Sequence, residues 1–100
     1  MRVDHIAIAV KNVEAALKNY QNILNIDKIE IEEVPNEKVR VVMLNLEDTR
    51  IELLEPMKDD SPISKFLDEK GEGIHDIAIA ADDIEQDVAR GDKNGIRFLG

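Results

Sequence analysis

Two short segments of this chain repeat one another, and this repeat constrains the fold more than any other feature of the sequence. Residues 4–9 read Asp-His-Ile-Ala-Ile-Ala, and residues 75–80 read His-Asp-Ile-Ala-Ile-Ala. The dipeptide at 13–14 then returns, as Ile-Glu for Val-Glu, at 84–85. Alternating residues followed by a capping residue predict a strand that leads into a helix. The chain is therefore expected to contain two related units that share one core.

The apolar periodicity between the two repeats predicts one strand, one helix and three further strands, in the order βαβββ. These elements are a strand over 3–10, a helix over 13–24 capped by Asn12, and strands over 29–32, 39–46 and 50–55. A short helix follows, for which Ser61 is the predicted cap and Pro62 the first helical residue. This pattern gives a first module over 1–56 and a linker with a short helix over 57–73.

The second module, over 74–100, is predicted to be shorter than the first. Its sequence indicates a strand over 74–81, a helix that begins at Ile84 and a strand that begins at Ile96. A complete second βαβββ unit would need about as many residues as the first. We therefore expect this module to be incomplete and to leave open sheet edges, which neighbouring chains would cover in a homodimer or higher oligomer.

The composition restricts the classes of partner and the kinds of site. The chain has 22 acidic against 13 basic residues and a formal net charge of −9, which argues against nucleic-acid binding and against docking on an anionic membrane. There is no cysteine, so a metal site must use histidine, carboxylate or amide ligands. No apolar run reaches the about 18 residues of a transmembrane helix. No signal peptide is visible, so a cytoplasmic location is expected.

Four segments of the chain resemble the methylmalonyl-CoA epimerase family of the vicinal-oxygen-chelate (glyoxalase I / bleomycin resistance) superfamily. They are Asp-His-Ile-Ala-Ile-Ala-Val at 4–10, Ile-Glu-Leu-Leu-Glu-Pro at 51–56, Asp-Ser-Pro-Ile-Ser-Lys-Phe-Leu at 60–67 and Gly-Glu-Gly-Ile-His-Asp-Ile-Ala at 71–78. The third segment is the most particular to the epimerase branch. The resemblance implies an α+β, glyoxalase-like fold, in which paired βαβββ modules form a curved mixed sheet with the helices outside.

The resemblance also implies a divalent metal, with cobalt, manganese, nickel, zinc and magnesium all open, and an acyl-CoA substrate. Matched residue by residue, its ligands would be His5, Glu52 and Asp76, where Asp76 stands in the place of a usual histidine. Some members place a catalytic glutamate on the third strand, where this chain has Val41. The glutamate that relatives carry near their C-terminus has no counterpart here, so no catalytic residue is assigned. By strand alternation, His75 is expected to point away from Asp76 and to have a structural role.

The implied activity is metal-dependent epimerisation of methylmalonyl-CoA by proton transfer at the carbon alpha to the thioester. Two alternatives stay open. One is a lactoylglutathione lyase (glyoxalase I)-type enzyme, and the other is a non-catalytic binding module of the same superfamily, which Asp76 and Val41 favour.

Overall fold

The computed structural model describes residues 1–26 and 29–80, together with the backbone of 96–99. Within this part of the chain, six strands form one mixed sheet and two helices pack against it. The elements are β1 (Arg2–Ala9), α1 (Val13–Leu24), β2 (Ile29–Val34), β3 (Val39–Asn45), β4 (Arg50–Pro56), α2 (Pro62–Lys70), β5 (Gly73–Ala80) and β6 (Ile96–Leu99). The strand order is β2-β3-β4-β1-β5-β6. The predicted α+β class and the βαβββ order of the first module are confirmed, whereas the helix predicted from Ile84 lies outside the described residues.

Both described helices begin at the residues that the sequence predicted. The Asn12 side chain accepts a hydrogen bond from the Ala15 amide at 2.9 Å, which satisfies one of the amides left open at the start of α1. Ser61 does the same for the Ile63 amide at 3.2 Å, with proline at the first helical position of α2. The α2 helix ends at Gly71, whose φ of 76° favours glycine.

The alternation of side chains gives the sheet two buried faces. On one face, α1 packs over a cluster that includes the fully buried Leu44 and Leu53. On the other, α2 places Ile63 over a cluster formed by β1, β3 and β4. We call this second face the pocket face. Because α2 covers only part of it, the rest is open to a ligand.

The pairing of β1 with β5 is interrupted at both repeated dipeptides. The register passes from Val3↔Ile79 to His5↔Ala78, so the residue at position 4 is extra on β1. It passes from Ala7↔Asp76 to Ile8↔Ile74, so the residue at position 75 is extra on β5. Each step is a β-bulge, in which two residues oppose one and a side chain is aimed away from the regular alternation.

The bulge on β5 makes one sequence-based prediction wrong. His75 does not point away from Asp76, because both residues line the same pocket. The His75 ring packs edge-on against Phe66 of α2, with ring centroids 5.1 Å apart, and its Nδ1 lies 3.6 Å from Asp76 Oδ2. Strict alternation holds only in an unbroken ladder, and the extra residue at position 75 breaks it.

Candidate functional site

A pocket of about 910 Å³ lies on the pocket face and contains all three predicted metal-ligating residues. His5 comes from β1, Glu52 from β4 and Asp76 from β5, so three adjacent strands bring them together. The other lining residues include apolar ones under α2 and charged ones at the β2–β3 turn: Ala7, Glu32, Val34, Asn36, Glu37, Lys38, Val39, Val41, Met43, Arg50, Leu54, Asp60, Pro62, Ile63 and His75.

Ala7 is the centre of the polar part of the pocket. It pairs with Glu52 on one side and with Asp76 on the other, so the two acidic residues flank it in the sheet. Since neighbouring strands lie about 4.8 Å apart, the two acidic positions are separated by about 10 Å. The alanine side chain is short and 2% exposed, and it leaves the space between the two acids open.

His5 is buried and held by the acidic residue beside it in the sequence. Its Nδ1 lies 2.8 Å from Asp4 Oδ2 and 3.7 Å from Glu52 Oε2. The hydrogen bond from His5 lowers the pKa of the Asp4 carboxyl, and the charges of Arg50, His5 and Arg2 lower it further. A neutral imidazole whose Nδ1 donates to a carboxylate has Nε2 as its acceptor nitrogen, which is the usual arrangement of a metal-ligating histidine.

Arg50 lies between the carboxylates of Glu52 and Asp4 at this end of the pocket. Its Nε donates a hydrogen bond to Glu52 Oε2 at 2.9 Å, and its Nη2 lies 3.8 Å from Asp4 Oδ2. Two carboxylates, those of Asp4 and Glu52, thus lie within 4 Å of the Arg50 guanidinium, and Asp4 also lies 3.4 Å from Arg2 Nη2.

The other end of the pocket is bridged by an ion pair. Lys38, in the turn between β2 and β3, pairs through Nζ with Asp60 just before α2. The hydrogen bond from Lys38 lowers the pKa of the Asp60 carboxyl. Lys38 itself has a φ of 57°, and its backbone oxygen accepts a hydrogen bond from the Met57 amide at 2.8 Å. The turn and the segment before α2 are therefore tied together across the pocket.

The chain matches the profile of the Glyoxalase/Bleomycin resistance protein/Dioxygenase superfamily over residues 4–100. It belongs to this superfamily. The fold agrees, because the model superposes with a TM-score of 0.78 on a hypothetical protein from Bacillus halodurans C-125, which is 39% identical, over 94% of this chain and 68% of that one. The resemblance drawn from the four sequence segments is thereby confirmed.

Within the superfamily, the chain is similar to methylmalonyl-CoA epimerases. It is 42% identical to the human mitochondrial enzyme over 98% of this chain, and 38% identical to the ethylmalonyl-CoA/methylmalonyl-CoA epimerase of Cereibacter sphaeroides over 99%. A variant of the Streptomyces coelicolor methylmalonyl-CoA epimerase, in complex with 2-nitronate-propionyl-CoA, is 33% identical with a TM-score of 0.77 over 89% of this chain and 66% of that chain. The chain spans 56% of the human enzyme and 75% of the bacterial one.

The three predicted ligands suit a superfamily metal site by their chemistry and by the pocket that they share. One imidazole and two carboxylates are acceptable donors to a divalent ion. In residues 1–26 and 29–80, however, no group of three or more such side chains is close enough together to hold an ion as arranged. Arg50 donates a hydrogen bond to Glu52 Oε2, so one of the two Glu52 oxygens is already engaged. The ligand set therefore stays a prediction.

The residue at position 41 is apolar, and its surroundings in the structure are apolar too. Val41 is buried in the cluster under α2, beside Ala9 and Leu54. It lines the pocket, so the side chain at this position faces the space that a ligand would occupy. This chain has no acid–base group there.

Three further residues, two that line the pocket and one that contacts His5, were not assigned to the site from sequence. Arg50 could have been found, because it lies two residues before Glu52 on the same strand and so shares its face. Asp4, which contacts His5, and His75, which lines the pocket, carry no such signal, because each is the extra residue of a β-bulge. No helix of the described part of the chain is long and apolar enough to cross a membrane.

Proposed function

We propose that this chain forms the substrate pocket of a methylmalonyl-CoA epimerase and exchanges the proton at the carbon alpha to the thioester. One observation carries the proposal: His5, Glu52 and Asp76, from three neighbouring strands, line one pocket around the small Ala7. The similarity to curated epimerases over nearly the whole chain supports the substrate class.

The reaction needs a proton to leave and return at a carbon that is only weakly acidic. A divalent ion, when bound, would stabilise negative charge on the oxygen of the enolate as a Lewis acid. We propose His5, Glu52 and Asp76 as its ligands. Two carboxylates and one imidazole favour manganese or magnesium more than a site rich in histidine does.

The remaining residues of the site prepare it for an anionic acyl group. Asp4 orients the His5 ring through Nδ1, and Arg50 offsets part of the negative charge. Ile63 and Phe66 on α2 cover the apolar part of the pocket face, which excludes water from it. The short side chain of Ala7 leaves room for the methyl-bearing carbon between the two acids.

The proposal is tested by α-proton exchange. The full chain is incubated with methylmalonyl-CoA in deuterated water, with each of the five divalent ions in turn, and loss of the α-proton signal is followed by NMR. Glu52→Gln should slow the exchange, whereas Glu47→Gln, on an exposed turn outside the pocket, should not. Absence of exchange with every ion contradicts the proposal. Exchange at the hemithioacetal of methylglyoxal and glutathione instead identifies a glyoxalase I-type lyase.

A non-catalytic binding module is the second candidate, and the apolar Val41 favours it. In that case methylmalonyl-CoA binds to the chain without α-proton exchange. Calorimetry beside the exchange assay separates the two candidates, because only the enzyme gives both signals.

We also propose that the chain forms a homodimer or a higher homo-oligomer. Strand β2 lies at one end of the strand order, and its Ile31 is 63% exposed. Unprotected edge strands tend to pair with another chain. Sedimentation velocity tests this, and a single monomeric species at assay concentrations contradicts it.

A further inference from the structure

Arg50 has more hydrogen-bonding capacity than the described protein uses. A guanidinium carries five N–H donors in a planar fork. Within residues 1–26 and 29–80, only Nε makes a hydrogen bond, to Glu52 Oε2. The 3.8 Å distance from Nη2 to Asp4 Oδ2 is too long for one. The side chain is 39% exposed, so a ligand can reach its two terminal nitrogens.

The register places Arg50 next to the row of acids. On β1, His5 pairs with Arg50, and Ala7, two residues further on, pairs with Glu52. Arg50 lines the main pocket and also borders a smaller crevice of about 360 Å³. In the register, Arg50 therefore lies two residues along β4 from Glu52, the residue that pairs with Ala7.

The other basic side chain that lines this pocket in the described residues is Lys38, and it is too far away to serve the same group. On the β3–β4 ladder, Asn45 pairs with Arg50, whereas Val39, next to Lys38, pairs with Pro56. Six residues along a strand correspond to about 20 Å. Lys38 is in addition paired with Asp60.

We propose that Arg50 forms a bidentate site for the free carboxylate of a malonyl-type acyl thioester and thereby selects against thioesters without that group. The inference rests on the proposed function and deepens it. In such a substrate the carboxylate, the thioester and the exchangeable proton share one carbon. A carboxylate on Nη1 and Nη2 therefore brings this carbon to the row of Glu52, Ala7 and Asp76.

The charges of the side chains that line the pocket make binding of the substrate's free carboxylate depend on Arg50. Glu52 and Asp76 line the pocket and repel a further carboxylate, whereas the Arg50 guanidinium, which lines the same pocket, attracts it. Paired N–H···O bonds between arginine and a carboxylate are among the stronger hydrogen bonds in proteins, and a lysine supplies only a point charge. A thioester that lacks the carboxylate gains nothing from Arg50.

The test compares methylmalonyl-CoA with propionyl-CoA, which lacks only the carboxylate. Both are titrated calorimetrically into the 100-residue chain, its Arg50→Gln and Arg50→Lys variants and a Lys38→Gln control, with and without cobalt(II). Arg50→Gln should weaken methylmalonyl-CoA binding by about 10- to 100-fold while propionyl-CoA changes by less than about threefold. Arg50→Lys should lose less, and Lys38→Gln should alter both esters alike.

An equal loss for both esters would overturn the inference, because Arg50 would then act only through Glu52. Preference for methylmalonyl-CoA that survives Arg50→Gln would overturn it too, since another group would be holding the carboxylate. If the unmodified chain binds neither ester, the proposed function itself fails and the inference falls with it. Should Arg50→Gln not fold, as judged by circular dichroism, the ratio of the two esters in Arg50→Lys decides.

Discussion

Replacing Asp4 should weaken metal binding although Asp4 is not one of the proposed ligands. Its Oδ2 lies 2.8 Å from His5 Nδ1, and this bond fixes both the ring orientation and the tautomer. Its carboxylate also lies 3.4 Å from Arg2 and 3.8 Å from Arg50. Loss of the negative charge would make the His5 imidazole a weaker donor and would release two cations beside the site.

The expected size follows from the contact that is removed. Loss of such an outer partner lowers metal affinity by about 10- to 100-fold, or about 1.4–2.8 kcal/mol. Asp4→Asn keeps an oxygen that can accept from Nδ1, so its effect should lie near tenfold. Asp4→Ala removes the bond altogether and should approach a hundredfold.

Cobalt(II) affinity, measured by calorimetry on the full chain, checks this prediction. Asp59→Asn is the matched control, because it removes the same charge at an exposed position outside the pocket. Equal affinities of Asp4→Asn and Asp59→Asn would refute the reasoning, since net charge alone would then account for the change. An effect of Asp4→Asn larger than that of Asp4→Ala would refute it as well.

Three further predictions concern stability and are checked by urea unfolding followed by circular dichroism. Leu53→Ala, at a fully buried position under α1, should lower the free energy of unfolding by about 2–5 kcal/mol. Ser61→Ala should lower it by about 0.5–2 kcal/mol, because the Ile63 amide loses its cap; an unchanged midpoint would contradict this. The pKa of Asp4 is lowered in the folded chain, so its contribution is present above the ordinary Asp pKa and is lost as the pH falls through the lowered value. Asp4→Asn should therefore unfold with a weaker dependence on acidic pH than the unmodified chain.

The parts of the fold that depend on local sequence were predictable. Asn12 and Ser61 identified the starts of the two described helices, since capping is decided by one residue and the amides that follow it. Alternation in β1 placed His5 and Ala7 on one face. The family resemblance, and not the alternation, assigned Glu52 and Asp76 to the same site, and the pocket contains all of them.

The parts that depend on register or on distant contacts were not predictable. A bulge adds one residue to a ladder, and nothing in the alternation of residues 75–80 indicates where it falls. The ion pair between Lys38 and Asp60 joins segments 22 residues apart, whose closeness is set by the packing of α2. Because the bulge was not predicted, the side chain of His75 was expected on the wrong side of β5. Because the ion pair was not predicted, the link across the pocket between Lys38 and Asp60 was missed.

The two bulges occur at the same point of the two repeated segments, although the order of histidine and aspartate is reversed between them. The first residue of each pair, Asp4 or His75, is the extra residue of a bulge, and the second, His5 or Asp76, lines the pocket. Exchanging the second pair, by His75→Asp combined with Asp76→His, keeps the same groups in the pocket and the same net charge. It puts an imidazole at the position where the family resemblance implies a histidine ligand.

This double variant should prefer softer metals. A second nitrogen donor in place of a carboxylate oxygen raises affinity for cobalt or zinc relative to manganese, by about tenfold or more in the ratio. Competition between cobalt(II) and manganese(II) on the full chain measures that ratio, and His75→Asn alone is the control because it leaves Asp76 in place. If the ratio stays the same in the double variant, position 76 does not contribute a ligand, and the ion is held by the β1 and β4 side chains without help from β5.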